Sequence, residues 1–218
     1  MKNVLTLGSH YNRIDAGKWL VKMMNGYIEQ INTLVLAIPS GGVPVAYEIA
    51  KAFNLPMELL IVRKIQIPGN TEAGFGSIGP DFEIIIDRDL VKRLKLTKEQ
   101  IEKQIESTKN TLIHRSKILR GDKEFPDLTN KNVILVDDGL ASGYTMKEAV
   151  KFVNKKGAES VIISIPTAPL DTINRLINDV DIIFCANIRE HYPFAVADAY
   201  EKWYDLTDEE VLKYLKHN

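Results

Sequence analysis

The segment spanning residues 133–145 constrains the fold of this chain more than any other part of the sequence. It starts as an unbroken apolar run, reaches two adjacent carboxylates, Asp137 and Asp138, and passes through a glycine-bearing turn into a helical pattern. An unbroken apolar run is typical of a strand covered on both faces, as in a parallel sheet. The turn is therefore predicted to lie at the carboxyl end of a parallel strand, where open α/β sheets bind ligands.

The rest of the chain also favours a parallel sheet. From residue 33 onward, short apolar runs alternate with longer helix-like segments, which is the pattern of strands joined by crossover helices. We predict a three-layer α/β fold with a central, mostly parallel five-stranded sheet. The predicted strands are residues 33–39, 57–63, 133–138, 161–166 and 181–186, and the predicted covering helices are residues 43–53, 144–156 and 170–178.

Segments outside this alternation predict a hood over the carboxyl ends of the strands. Residues 11–24 and 207–215 have helical patterns, and residues 65–81 carry several glycines. A long helix is predicted from Thr97, whose hydroxyl and Gln100 form a capping box. We find no internal repeat and no interdomain linker. The expected single domain covers residues 1–218, with a hood built from the N-terminal segment, residues 65–120 and the C-terminal segment.

Composition excludes several classes of function. With 28 basic and 29 acidic residues among 218, the formal net charge is -1, so no overall positive field can hold nucleic acid and an anion site must be local. No run approaches the ~20 apolar residues of a membrane span, and the apolar stretch near Met1 is too short for a signal peptide. The single cysteine, Cys185, lies in an apolar run. We expect a cytoplasmic protein that binds neither nucleic acid nor membrane, with Cys185 in its core.

The turn at residues 141–145 has the chemistry of a phosphate site. Backbone N–H groups at the start of a helix point towards an anion, and the helix adds the positive end of its dipole. Ser142 and Thr145 add hydroxyl donors, and Gly143 lets the backbone approach a ligand without a side chain in the way. Ala141 and Tyr144 complete the predicted loop.

Asp137 and Asp138 stand too close to that loop to face the same phosphate. Ribose hydroxyls or a hydrated cation suit two carboxylates, and a sugar phosphate offers hydroxyls to the acids and a phosphate to the loop. The simplest alternative is that the two aspartates start a turn, as aspartate often does. A receiver or phosphatase site also places acids at strand ends, but it does not need the Ser-Gly-Tyr-Thr turn that follows.

A second anion site is predicted after the first strand. Ser40, Gly41 and Gly42 lie between a strand and a helix, where paired glycines expose successive N–H groups to an anion. Such glycines also serve simply to turn the chain. Arg63 and Lys64 end the second predicted strand at the same edge of the sheet, where cations neutralise an anionic ligand. Solvation at the surface is the alternative for both cations.

Residues 133–146 resemble the signature of the type I phosphoribosyltransferases: an apolar strand, two acids, two or three small or apolar residues, then Ser/Thr-Gly-x-Thr. The resemblance implies that Asp137 and Asp138 bind the 2′- and 3′-hydroxyls of 5-phosphoribosyl 1-pyrophosphate (PRPP) together with Mg²⁺, and that residues 141–145 hold its 5-phosphate. The residues that it implies for pyrophosphate binding are Ser40, Gly41, Gly42, Arg63 and Lys64.

Across the whole chain, the sequence is most similar to an uncharacterised group of bacterial and archaeal proteins within that family. It shares an early Arg-x-x-Ala-Gly at residues 13–17, a Pro-x-Gly-Gly-Val-Pro-Val loop, Val-Arg-Lys and Pro-Gly-Asn. Ser40 stands where that group usually has arginine. In adenine phosphoribosyltransferases a similar Arg-Lys followed by Pro-Gly opens a flexible loop over the active site, so we expect residues 65–74 to form a mobile cover.

The implied reaction transfers phosphoribose from PRPP to a nitrogenous base, with a purine favoured, and releases pyrophosphate. Hypoxanthine-guanine enzymes carry a proton-accepting aspartate where this chain has Ala141, whereas adenine enzymes have alanine there. Glu72, in the expected cover, is the replacement candidate for proton transfer. The base is assigned to the hood, at Tyr192, Phe194 and Asp198.

Two other functions stay open. A regulatory protein on the same fold would sense PRPP or a nucleotide without turnover, and both Ser40 and Ala141 are compatible with such a protein. A diphosphokinase that makes PRPP shares the central motif but needs a second, repeated domain, and the sequence shows no repeat. For the enzyme we expect small-molecule substrates, Mg²⁺ and a homodimer.

Overall fold

The computed structural model describes residues 10–28, 31–190 and 194–216, apart from the side chains of Thr71 and Glu72. A five-stranded parallel sheet flanked by helices confirms the predicted α/β fold. In chain order, the α-helices and strands of the described residues are α1 (Arg13–Met24), β1 (Thr33–Ala37), α2 (Gly42–Phe53), β2 (Met57–Leu59), β3 (Arg63–Ile67), β4 (Asn70–Ile78), β5 (Ile84–Ile86), α3 (Arg88–Arg93), α4 (Lys98–Arg120), β6 (Asn132–Val136), α5 (Tyr144–Lys155), β7 (Ser160–Pro169), α6 (Leu170–Leu176), β8 (Ile182–Arg189) and α7 (Asp208–Lys216), with a 3₁₀ helix at Val196–Ala199.

The strand order of the central sheet places a switch point between β1 and β6. The order is β2-β1-β6-β7-β8, and every neighbouring pair is parallel. The chain leaves β1 towards one edge and later returns on its other side as β6. Ala37 lies opposite Val136, so both strands end at the same level. The crevice outside the carboxyl ends of two such strands is where this class of sheet binds ligands.

Both faces of the sheet are covered, which explains the unbroken apolar strands. Successive side chains of a strand point to opposite faces. Ile134 of β6 therefore packs into one buried cluster, whereas its neighbour Leu135 packs into another. The first cluster includes Leu20 of α1 and Ile49 of α2, and the second includes Met146 of α5 and Ile173 of α6.

The prediction of a single strand over residues 57–63 is wrong. Only Met57–Leu59 pairs with β1, and Arg63 already belongs to β3 of a separate antiparallel sheet. Between them, residues 60–62 stay buried although they lie outside the strand, and Leu60 still donates its N–H to the Ala37 carbonyl at 2.9 Å. An apolar pattern reports burial, and here burial continues past the end of strand pairing.

The glycine-bearing stretch after Arg63 folds into most of a second sheet. Strands β3, β4 and β5 are antiparallel neighbours in that order, and the turn between β3 and β4 contains Gly69 at φ +77. Ile65 and Phe75 are fully buried against the first apolar cluster. The small sheet is therefore anchored to the main core. Neither β5 nor α3 was predicted from the sequence.

The remaining predicted helices are confirmed. Thr97 accepts a hydrogen bond from the Gln100 N–H at 3.2 Å, and the Gln100 side chain accepts one from the Thr97 N–H at 2.9 Å. The same arrangement joins Thr207 and Glu210 at the start of α7. Cys185 is buried, as expected for a core residue. Among the described residues, no helix has the combination of length and apolar character that a membrane crossing requires.

Candidate functional site

A cavity of about 430 Å³ opens at the carboxyl ends of the central strands. Its floor is the segment that follows β6, and its wall is the hairpin formed by β3 and β4. The central sheet and the small sheet thus enclose one space at the switch point. Residues that line it include Lys64, Gly74, Asp137, Ser142, Thr145 and Val196.

The loop before α5 presents its backbone N–H groups to this cavity. Thr172 donates its hydroxyl hydrogen to the Ala141 carbonyl at 2.7 Å, and Arg175 donates to the Ser142 carbonyl at 3.2 Å. A trans peptide places its N–H opposite its C=O. Because α6 holds these two carbonyls, the N–H groups of Ser142 and Gly143 point the other way. They join the first N–H groups of α5, which have no partner within the helix.

The side chain of Tyr144 contacts α3 and does not take part in the loop before α5. Its hydroxyl donates to the carboxylate of Asp87, the residue that caps α3, and Ser77 of β4 donates to the Tyr144 carbonyl at 3.1 Å. Burial and the Asp87 carboxylate raise the pKa of Tyr144 to about 12. Tyr144 therefore fixes the small sheet and α3 to the start of α5, and only its backbone faces the loop.

The two acids after β6 form a close, poorly solvated pair. The N–H of Asp138 donates to the Asp137 carboxylate at 2.8 Å, and Arg13 donates from Nε to the Asp138 carboxylate at 2.8 Å. Burial, followed by the charge of Asp138, raises the pKa of Asp137 well above its usual range. The Arg13 guanidinium thus contacts one of the two carboxyl groups and lowers the pKa of the other, although not by enough to offset burial. This arrangement favours a ligand that brings positive charge or hydroxyl donors.

Arg13 is a site residue whose role was not predicted from the sequence. Its side chain is only 6% exposed, donates to the Tyr204 carbonyl at 2.7 Å and lies 4.0 Å from the ring centroid of Trp203. Tyr200 donates its hydroxyl to the Asp138 carbonyl at 2.5 Å. A signal was present in the sequence, because a cation in the first turn of a helix is unfavourable with respect to the helix dipole. Such a cation needs another partner, which here is Asp138.

The loop after β1 packs directly against the acid pair. A Cβ on Gly41 would lie 1.8 Å from the Asp138 carboxylate, and a Cβ on Gly42 would lie 2.6 Å from the Val136 carbonyl. Only glycine fits at either position. The peptide between Pro39 and Ser40 is cis. These close approaches show that the loop after β1 contacts the acid pair, at the switch point between β1 and β6.

The cations of β3 take different positions. Lys64 lines the same cavity as Asp137. Arg63 belongs to β3, which packs against α4, the helix that carries Arg115. Burial and then the charge of Arg115 lower the pKa of Arg63, while Asp208 raises it. Arg115 and Asp208 are two further residues that were not predicted from the sequence.

Of the residues predicted to bind the base and to accept a proton, the structure describes only some. Tyr192 and the side chain of Glu72 lie outside the described residues. Phe194 is half-buried, whereas Asp198 is exposed, with its carboxylate accepting from the Ala195 N–H at 3.3 Å. Val196, from the same segment, lines the cavity and contacts Gly139.

The α/β sheet with its cavity at the switch point agrees with what comparison with known proteins shows. Residues 5–199 match the phosphoribosyl transferase domain, and this chain belongs to that family. The Mycobacterium tuberculosis H37Rv protein named "Putative phosphoribosyl transferase Rv0571c" is 31% identical over 204 residues. That alignment covers 94% of this chain and 46% of the relative, so the chain spans about half the length of the curated relatives it matches.

Solved structures extend the similarity to the fold. The crystal structure of TT1426 from Thermus thermophilus is 26% identical, with a TM-score of 0.76, and the match covers 96% of this chain and 98% of that one. The AQ2163 protein from Aquifex aeolicus is 14% identical, with a TM-score of 0.50 over 81% of this chain and 74% of its own. The second likeness concerns the fold alone.

Proposed function

We propose that this protein transfers the phosphoribosyl group of PRPP to a nitrogenous base and releases pyrophosphate. The observation that carries the proposal is the shared cavity, which is lined both by Asp137 and by residues of the loop at 141–145. The loop after β1 touches Asp138 from the other side. A suitable ligand has a phosphate for the loop at residues 141–145, two hydroxyls for the acid pair and a second anionic group for the loop after β1.

The chain's own groups hold the donor at both ends. Backbone N–H groups of Ser142 and Gly143, with the Thr145 hydroxyl, would bind the 5-phosphate. Asp137 and Asp138 would accept hydrogen bonds from the ribose hydroxyls. Positive charge develops on the ribose as the bond to pyrophosphate breaks, and the two carboxylates lie where they stabilise it. The reaction is then driven mainly by position and charge.

The acid pair also fits a magnesium ion that arrives with the donor. Within the described residues, no group of three or more histidine, cysteine, aspartate or glutamate side chains is arranged to hold a metal by itself. Mg²⁺ prefers oxygen ligands and commonly combines one or two carboxylates with substrate phosphates. Asp137 and Asp138 would supply those carboxylates, and the ion would neutralise charge on the departing pyrophosphate.

The proton acceptor and the base site complete the proposal. Ala141 carries no group that can accept a proton, so we keep Glu72 of β4 as the candidate. The proposed base, a purine, would lie against the segment that contains Tyr192, Phe194 and Asp198. Val196 offers an apolar contact for a flat ring at the same end of the cavity.

The proposal is tested by mixing the protein with PRPP, Mg²⁺ and a panel of purine and pyrimidine bases while pyrophosphate release is followed. We expect release that depends on one base, with adenine the first to try. Light scattering after size-exclusion chromatography checks the proposed homodimer separately. Tight PRPP binding without base-dependent release would instead favour a sensor on the same fold, the alternative that the absence of a carboxylate at Ala141 keeps open.

The phosphate loop gives a further prediction. Gly143 has φ +78, and a Cβ there would lie 2.6 Å from Thr172 Cγ2, so Gly143→Ala combines backbone strain with a clash. Gly26 has φ +81 with nothing within 4 Å and provides the matched control. We expect Gly26→Ala to cost about 1 kcal/mol of unfolding free energy and Gly143→Ala about 1 to 3 kcal/mol more.

Ribose 5-phosphate affinity, measured by calorimetry, separates the two glycine variants further. Displacement of Thr172 releases the Ala141 carbonyl, so the N–H groups of the loop lose their orientation. We expect Gly143→Ala to weaken binding of ribose 5-phosphate at least about tenfold and Gly26→Ala to leave it unchanged. Equal behaviour of the two variants would remove the loop from the proposed phosphate site.

A further inference from the structure

An arginine from a distant helix reaches the loop after β1. Arg115 of α4 donates from Nη2 to the Ser40 hydroxyl at 2.7 Å and to the Asp208 carboxylate at 2.6 Å. These partners lie 75 and 93 residues away in sequence. The Arg115 side chain is only 15% exposed. Such a side chain is held in place, and its guanidinium is directed at the loop rather than at bulk solvent.

A second guanidinium, that of Arg63, belongs to β3, which packs against α4. Burial and the positive charge of Arg115 lower the pKa of Arg63, whereas Asp208 raises it. Two partly buried cations thus lie close together with one acid beside them. Like charges at short range in a poorly solvated place destabilise each other. A ligand with more than one negative charge would relieve this repulsion better than a single carboxylate does.

The arginine pair lies beside the acid pair and not in a separate place. Ser40, which Arg115 contacts, precedes Gly41, whose Cα approaches the Asp138 carboxylate so closely that a side chain would collide with it. A donor that puts its ribose on Asp138 therefore places the group attached to its anomeric carbon next to Ser40. On the proposed function that group is a diphosphate.

We propose that Arg115 joins Arg63, which the sequence already assigns to pyrophosphate, in binding the pyrophosphate of the donor, and that Asp208 occupies the binding face of Arg115 until the ligand arrives. This inference rests on the proposed function and assigns a site within it. A guanidinium binds phosphate oxygens through two parallel hydrogen bonds, which a diphosphate can offer to both arginines. Asp208 lies in the first turn of α7 and is 33% exposed, so solvent can receive its carboxylate when the diphosphate displaces it.

The opposite charges of Arg115 and Asp208 give opposite expected effects on binding. Affinity for inorganic pyrophosphate, measured by calorimetry with Mg²⁺ and without a base, should fall at least about tenfold in Arg115→Ala. It should rise about fivefold in Asp208→Asn, because the competing charge is gone. Arg115→Lys, which keeps the charge but not the two parallel hydrogen bonds, should lie between the wild type and Arg115→Ala.

Glu58→Gln is the matched control. It removes the carboxylate partner of Arg120, which lies on the same helix as Arg115 and forms an ion pair of 2.8 Å with Glu58. We expect no change in pyrophosphate affinity from this variant. If Arg115→Ala does not fold, Asp208→Asn carries the test, since a purely structural ion pair predicts weaker pyrophosphate binding in that variant, whereas the proposal predicts tighter binding.

The outcomes distinguish this inference from the function on which it rests. Weaker or unchanged pyrophosphate binding in Asp208→Asn, while the wild type binds pyrophosphate and turns over PRPP, overturns the role of Asp208 and leaves the proposed function standing. Failure of the wild type to bind either pyrophosphate or PRPP would overturn the proposed function itself.

Discussion

Replacing Asp137 with asparagine is expected to stabilise the ligand-free protein and, in the same variant, to lower PRPP-dependent turnover about a hundredfold. Burial and the neighbouring Asp138 raise the pKa of Asp137, so the ionised side chain is disfavoured in the folded state. Asparagine removes that cost and still accepts the hydrogen bond from the Asp138 N–H. It lacks the negative charge that the proposed binding of ribose and Mg²⁺ requires.

The stability effect has a defined dependence on pH. A carboxyl group whose folded pKa exceeds its ordinary value of 3.8 stabilises the fold fully below that value. The stabilisation is lost as the pH rises through the pKa of folded Asp137. In thermal unfolding from about pH 4 to about pH 8, the unfolding temperature of Asp137→Asn should therefore increase relative to that of the wild type as the pH rises.

Asp127 is the control with the opposite sign. Hydrogen bonds from the N–H and hydroxyl of Thr129 lower the pKa of this exposed carboxylate. Its contribution to stability is present above its ordinary pKa and is lost as the pH falls. Asp127→Asn should therefore lower the unfolding temperature at neutral pH and leave turnover unchanged. If Asp137→Asn instead lowered the unfolding temperature at neutral pH and left turnover unchanged, as expected for Asp127→Asn, Asp137 would not be a ligand-binding carboxylate that is held in the site at a cost in stability.

The central sheet was predictable because burial on both faces produces apolar runs that a reader of the sequence can see. The small sheet was not. Gly74 and Gly76 lie within β4 and suggest a loop, yet both are required by close approach in the sheet. A Cβ on Gly74 would lie 2.2 Å from Lys64 Cγ, and one on Gly76 would lie 2.3 Å from the Ile85 carbonyl. Glycine needed for contact and glycine needed for a turn look the same in a sequence.

Part of the candidate site could likewise be predicted from the sequence, and part of it could not. The acid pair and the loop before α5 are nearly consecutive in the chain, so their residue types reveal them together. Arg13 reaches Asp138 across 125 residues, and Arg115 reaches Ser40 across 75. No local pattern encodes those contacts. Ser40 carries no charge, but its hydroxyl accepts a hydrogen bond from the Arg115 guanidinium of α4. Only the folded structure shows that a positive charge lies at this position.

Loss of the Arg13 guanidinium is expected to destabilise the protein strongly. Arg13→Met keeps the apolar stem beneath Trp203 but leaves Asp138 without its cationic partner. Removing one partner of a buried ion pair costs about 3 to 5 kcal/mol, because the remaining charge stays buried. Chemical unfolding measures the loss. Lys98→Met makes the same change at a side chain that is 90% exposed, 3.7 Å from Glu102, and should cost less than about 0.5 kcal/mol.

The double variant Arg13→Met with Asp137→Asn tests whether the stability changes of the two single variants both arise from the charge of the acid pair. Arg13 lowers the pKa of Asp137, so its guanidinium offsets the charge of both acids. With Asp137 neutral, fewer buried charges depend on Arg13, and its removal should destabilise the protein by less than it does in the wild type. The difference between the two losses is the coupling free energy of the cycle. Strictly additive losses would show that Arg13 stabilises the fold through its contacts with Trp203 and Tyr204 and not through the acid pair.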